Sequence, residues 1–336
     1  MRLRSKATLG RLESALPSYL GNLGVRQWAE FTALELLGTA AESIPPFGYS
    51  LERLFAKQRV IEVAVLDQPR LGARLDPTRH GFVLSVGAGV ARGSFWYRYL
   101  ACHEIAHTLF YDLATSPPRH IACLRPGDPD LDWLCEYIAK CFLLPVSWLK
   151  KYTASIPPVN TVDFSLSHLW KLAKEFAAPP EIVAERLVED LALWNCVLLR
   201  FTRESHDGDH AGRARQDPWH LTWHTKPSEL NCYIPIGHRE AGGMVFPRVT
   251  RRLASLIEEL ATGASQTGYL RRVLTAEQLR TSPTHGLAAF LHDSFPDGEV
   301  VVLAAAEAQT TVLDSLEGSG ASRRHVHICF PAIPVR

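Results

Sequence analysis

Apolar and polar positions follow a mostly helical rhythm as far as about residue 192 and a mostly strand-like rhythm beyond it. Residues 26–58 carry helical spacing, broken at Ile44-Pro45-Pro46 and resumed in the amphipathic piece SLERLFAKQ. VIEVAVL (Val60–Leu66) and GFVLSV (Gly81–Val86) alternate or hold an apolar centre, and predict two strands of a small sheet. WYRYLACHEIAHTLFY (Trp96–Tyr111) contains neither Gly nor Pro and predicts one buried helix. Residues 112–129 read as a loop, and Leu131–Leu144 as a second apolar helix that stops at Pro145. The linker TASIPPVNT leads to a helix over Ser165–Phe176, a turn at Ala177–Pro180 and a further helix over Glu181–Leu191.

Beyond residue 192 the runs 194–201, 219–225, 230–236, 299–304 and 325–330 are strand-like. Helical pieces are expected near 248–261 and 269–280, and a long polar loop at 203–218. There is no internal repeat, and the only low-complexity tract is GSGAS at 318–322. The expected fold is α+β in three parts: a helical front with a small sheet (1–160), two short helices (161–192) and a mixed α/β rear (193–336).

Composition narrows the partners. Lys plus Arg (36) and Asp plus Glu (35) nearly cancel over 336 residues, so the chain as a whole is not a basic nucleic-acid binder. No apolar run reaches the ~18–20 residues of a membrane span. The segment MRLRSKATLGRLESALPSYLGNLG lacks the apolar stretch of a secretory signal, so a cytoplasmic location without membrane attachment is expected. The seven cysteines (102, 123, 135, 141, 196, 232 and 329) are scattered through apolar runs, as buried thiols of a reducing compartment would be.

His103-Glu104-Ile105-Ala106-His107 is an H-E-x-x-H sequence. On a helix, positions i and i+4 share a face, so two imidazoles can hold one Zn²⁺ with Glu104 beside them. That carboxylate can then take a proton from metal-bound water. Composition alone produces roughly 0.04 such pentapeptides in a chain like this, and this one falls inside a helical run, so chance is the weaker reading. Zinc needs a further ligand, and the acids that follow are Asp112, Asp128, Asp130, Asp132 and Glu136. Asp128 and Asp130 suit a helix N-terminus, where the dipole favours acids. Asp132 and Glu136 lie one turn apart, so one of them can bind the metal while the other orients a histidine.

Three stretches between Ile44 and Pro145 together resemble the ImmA/IrrE family of zinc metallopeptidases. These are Ile-Pro-Pro before an amphipathic helix, RYLACHEIAHTLFY, and Leu-Cys-Glu-x-Ile-Ala-x-x-x-Leu-Leu-Pro over 134–145. The resemblance implies a zincin-like, gluzincin-like endopeptidase domain with one Zn²⁺ per chain on His103, His107 and a carboxylate, and Glu104 as general base and then general acid. The family pattern Glu-x-x-Cys/Ala-Asn/Asp falls on Asp132 and Glu136, a departure from it. Alignment favours Asp132 as the ligand, and reach favours Glu136. The substrate implied is a helix-turn-helix transcriptional repressor, cut in a stress or defence response. Gly81–Val86 is a candidate edge for an extended substrate segment. Tyr111 is either an oxyanion donor or a packed aromatic.

Residues 165–191 resemble the helix-turn-helix that follows the peptidase core in that family. Glu175, Glu181, Glu185, Glu189 and Asp190 against Arg186 make a poor phosphate-facing helix, which argues against direct DNA binding. The rear part resembles a GAF-like sensor, implying an unidentified small-molecule or protein signal. Its Trp219, His220, Trp223 and His224 read as interface or core-edge residues rather than a second metal site, since positions 220 and 224 lie ~13 Å apart along a strand. The alternative function is a non-proteolytic zinc-containing regulator; the presence of Glu104 favours the enzyme.

Overall fold

The computed structural model describes residues 6–16, 20–38, 50–66, 72–90, 92–121, 127–159, 161–205, 219–227, 238–240, 243–245, 251–267, 269–275, 299–307 and 322–331. The Ile44-Pro45-Pro46 break, the strand expected at 230–236, most of the 203–218 loop, the GSG of the low-complexity tract and Cys123 and Cys232 lie outside them. The architecture is α+β. Helices α1 (Lys6–Ala15), α2 (Val25–Leu37) and α3 (Glu52–Lys57) precede a three-stranded sheet of β1 (Val60–Leu66), β2 (Ala73–Thr78) and β3 (Gly81–Gly87). The strand order is β1-β3-β2, with β3 parallel to β1 and antiparallel to β2.

This order corrects the expectation that Gly81–Val86 is an edge. It is the central strand, and its residues, Ser85 included, are largely buried, as a strand covered on both faces requires. β2 is one edge strand; its sequence ARLDPT alternates apolar and polar residues, but Asp76 and Pro77 weaken it as a strand signal. Pro77 is tolerated there because an edge strand need not donate on both sides. Gly81 admits no side chain, since a Cβ on it would lie 2.1 Å from the Arg59 carbonyl oxygen.

Helix α4 (Phe95–Thr108) is capped by the Ser94 hydroxyl, which accepts from the Tyr97 N–H at 3.1 Å. It ends three residues before Tyr111, which the sequence had suggested as its last residue. Tyr111–Asp112 instead form β4, paired with β5 (Arg119–His120). Helix α5 (Pro129–Leu143) starts from Asp128, which accepts from the Asp130 N–H at 2.8 Å, with Pro129 in the first turn. Asp130 also pairs with Arg11 of α1 at 2.7 Å. The acids expected to serve the helix N-terminus therefore do so. Ala101, Cys102 and Ile105 of α4 and Leu134, Ile138 and Cys141 of α5 belong to one fully buried apolar cluster. Helices α6 (Val146–Thr153) and α7 (Ser167–Phe176) follow. Ala177 is left-handed (φ 47°), and α8 (Pro180–Glu185) runs on into a π turn at Arg186–Asp190.

The rear part is a five-stranded sheet in the order β10-β11-β12-β6-β7, antiparallel throughout. Its strands are β6 (Cys196–Ser205), β7 (His220–Thr225), β10 (Tyr269–Thr275), β11 (Glu299–Glu307) and β12 (Ser322–Pro331). A short pair, β8 (His238–Glu240) and β9 (Gly243–Val245), and helix α9 (Arg251–Thr267) complete the described elements. Period-2 alternation divides β6 between two cores. Val197, Leu199 and Phe201 pack with Ile257, Leu260 and Ala264 of α9. Cys196 and Leu198 join the cluster that contains α4 and α5, so the apolar core runs through the position of the rhythm change near 192. The helix expected over 269–280 is strand β10 as far as the described residues extend. YLRRVLT pairs along its whole length with β11, from Tyr269↔Ala305 to Thr275↔Glu299, and this long-range pairing overrides local spacing.

The acidic segment 181–190 points inward. Glu181 accepts from Arg200 at 2.8 Å, Glu185 from the Trp223 indole at 3.0 Å, and Glu189 from the Thr225 hydroxyl at 2.8 Å. Lys140 of α5 lies 2.9 Å from Asp190 Oδ2 and 3.6 Å from Glu185 Oε2. Arg186 pairs with Glu30 of α2. The acids that argue against a phosphate-facing helix make α8 and the π turn after it a buried polar seam between α5 and the rear sheet.

Burial first, then the charges of Glu185 and Asp190, push the Glu189 carboxyl up to about 7, against the opposing pull of Lys140 and Thr225. A carboxyl whose folded pKa is raised stabilises the fold at low pH and loses that contribution as pH rises through about 7. Glu189→Gln is therefore expected to stabilise the protein relative to wild type at pH 8 and to differ little at pH 5. Urea midpoints at the two pH values measure this; an equal shift at both would contradict it.

Candidate metal centre

The histidines are placed by α4 and the carboxylate by α5. His103 and His107, one turn apart, face the same way, with Nε2 atoms 3.2 Å from each other. Asp132 Oδ1 lies 3.2 Å from His103 Nε2 and 3.7 Å from His107 Nε2. Among the described residues these three form the group whose ligand atoms converge on one point. The donor set suits zinc: bonds of about 2.0–2.1 Å in a tetrahedron place neighbouring ligand atoms about 3.3–3.4 Å apart. The three separations straddle that value. Three protein ligands also leave a fourth position open.

Hydrogen bonds from His103 and then His107 hold the Asp132 carboxyl well below the usual carboxylate range, although burial opposes them. Burial lowers the His103 imidazole, but the Asp132 hydrogen bond and the charges of Glu104, Asp132 and Glu136 outweigh it and raise the net value. The three ligand atoms stand close enough together for one ion to be shared among them.

Glu104 is buried beside the histidines and accepts a hydrogen bond from the Leu75 backbone of β2. Burial raises its pKa against the lowering effect of His103 and His107. Glu136 is also mostly buried, and burial raises its carboxyl as well, but it is not in the converging group. Of the two acids left open by the sequence, Asp132 is the one brought to the imidazoles. Its own side chain is 51% exposed, so it faces the solvent side of the site.

The Tyr111 ring packs edge-on to Phe82 at 5.2 Å and to His120 at 5.0 Å, and burial and then the charge of Glu104 raise the pKa of its hydroxyl. Asp112 caps the Ala114 N–H at 2.9 Å, away from the group. In the rear sheet Trp219 donates to Glu258 at 2.9 Å and Trp223 to Glu185, while burial brings the His224 imidazole down to about 4. His220 and His224 are in no metal-binding group among the described residues. Sequence reading missed Cys135, whose Sγ lies 3.4 Å from His107 Nδ1. The available signal was its spacing three residues after Asp132, on the same face of α5.

No family model matches this chain, and the search of curated proteins finds no match. Among solved structures it is similar to a Mycobacterium tuberculosis transcriptional regulator, with a TM-score of 0.43 and 11% identity over 96% of this chain and 81% of that one. The chemistry of the site rests on its own geometry. No helix among the described residues is long and apolar enough to cross a membrane.

Proposed function

We propose that the chain is a zinc-dependent endopeptidase of ImmA/IrrE type that cuts a helix-turn-helix repressor, with the rear part receiving the controlling signal. The observation that carries this reading is a buried general-base candidate, Glu104, on the same helical turn as two imidazoles that converge with Asp132. His103, His107 and Asp132 would hold the metal, and its chemistry when bound is to polarise a carbonyl and lower the pKa of water toward ~7.

The rest is the work of the protein's own groups. Glu104 accepts a proton from the attacking water on its carboxylate and returns it to the leaving amine nitrogen. Its raised pKa suits both halves of that transfer. Among the described residues β2 is hydrogen-bonded to a strand on one side only, and it lies against α4 through the Leu75–Glu104 contact. An extended substrate segment would add to that edge and bring its scissile bond to Glu104. A signal on the rear sheet controls cleavage by binding one state of the protein more tightly than another.

The test is incubation of the zinc-loaded chain with purified helix-turn-helix repressors, read by intact mass. Discrete fragments that disappear on chelation support the proposal. Zinc binding with no cleavage of any repressor would support the non-proteolytic regulator instead. The ligand assignment has its own test. Asp132→Ala is expected to lower zinc affinity by more than about 100-fold, and Glu136→Ala by about tenfold or less, measured by chelator competition. Equal losses would return Glu136 to the metal.

A further inference from the structure

His107 uses its two ring nitrogens on opposite sides. Nε2 faces His103 and Asp132, while Nδ1 faces the Cys135 sulfur at 3.4 Å. Cys135 is fully buried on α5, one turn after Asp132. A neutral imidazole carries one ring proton. If Nε2 offers its lone pair to a cation, that proton sits on Nδ1 and needs an acceptor, because a buried N–H without one is costly. The group in position to accept is the Cys135 sulfur. Metal-bound histidines generally rely on such a partner for tautomer and ring orientation, most often a carboxylate or a carbonyl. Glu136, the residue the sequence offered for that task, is one position further along α5.

We propose that Cys135 is a positioning residue of the metal centre, its sulfur accepting from His107 Nδ1–H and fixing the ring with Nε2 toward the metal. It is not a ligand itself. The thiol meets the ring at the nitrogen remote from the converging group, and α5 contributes to the centre twice, through a carboxylate that binds and a sulfur that orients. This rests on the metal-centre reading above.

The experiment uses the full chain, its fold verified by circular dichroism, and measures zinc affinity by chelator competition together with cobalt absorption spectra. Cys135→Ala is expected to weaken zinc by about 10–100-fold, and Cys135→Ser, which restores an acceptor, to recover most of that loss. Cys141→Ala, a buried thiol two turns further along α5, controls for general loss of core packing and should leave zinc affinity unchanged. The cobalt form of the wild type should show no thiolate-to-metal charge-transfer band.

Unchanged affinity in Cys135→Ala would overturn the inference, as would a Cys135→Ser variant as weak as Cys135→Ala. A charge-transfer band present in wild type and lost in Cys135→Ala would make Cys135 a ligand and overturn it differently. If the wild type bound neither zinc nor cobalt, the metal-centre reading would fail and this inference with it. Retained metal binding with no cleavage would count against the peptidase alone.

Discussion

Glu104→Gln is expected to leave zinc content and fold intact and to lower repressor cleavage by about 10²–10⁴-fold, the usual cost of losing a general base. Gln has nearly the shape of Glu and can still accept from the Leu75 backbone, so β2 and α4 keep their contact. It cannot accept the proton of the attacking water. The companion variant His103→Ala/His107→Ala removes two of the three converging ligands and is expected to lose bound zinc altogether. The two outcomes separate the functions of one pentapeptide. Cleavage by Glu104→Gln at the wild-type rate would end the proposed mechanism. Stoichiometric zinc in the double variant would place the metal elsewhere.

The second large effect is on stability. Lys140→Met is expected to destabilise the protein by about 3–5 kcal/mol, because it leaves charged groups buried without their cation. The Lys140 side chain is 2% exposed, and its ammonium lies between Asp190 and Glu185. Burial would lower its pKa, yet those two carboxylates and Glu189 raise it on balance, so the lysine is charged in the folded protein. Arg186, whose side chain is 0% exposed, pairs with Glu30 and lies 3.7 Å from Asp190, so it offsets part of the lost charge at Asp190 but is shared with Glu30, and Glu185 loses its lysine partner outright. A loss of that size is a large part of the ~5–15 kcal/mol that holds a typical domain together. Urea unfolding at pH 7.5 measures it. Adding Glu185→Gln and Asp190→Asn to Lys140→Met should recover much of the loss, since the penalty lies in the unpaired charges. A cost below about 1 kcal/mol would mean that the seam is hydrated.

The seam shows what an acidic segment leaves open in sequence: which groups pair with its charges. Glu181, Glu185, Glu189 and Asp190 lie within ten residues and have one basic neighbour, Arg186, which normally marks a solvated face. Their partners are far away in the chain: Lys140 on α5, and Arg200, Trp223 and Thr225 on the rear sheet. The same reason explains β10. YLRRVLT has helical spacing by itself and becomes a strand because β11 offers it a complete register. It also explains the reversal of edge and centre in the front sheet, where the alternation of β2 is short and interrupted by Asp76 and Pro77, and only its pairing with β3 makes it a strand.

The chain's own sequence determined the local features: the breaks before and after α4 and α5, the Asp128 cap, and above all the shared face of His103 and His107. Each depends on residues within one or two turns, where helical geometry sets the neighbours whatever the rest of the molecule does. Only the tertiary structure decided which carboxylate meets the imidazoles, that a thiol 28 residues away touches His107, and that the acidic α8 is interior. Those outcomes depend on how α5 crosses α4 and on how the rear sheet meets α8 and the π turn. One residue of rotation along α5 would exchange Cys135 for Glu136, and spacing along the chain does not specify that rotation; packing of the two helices in a shared core does.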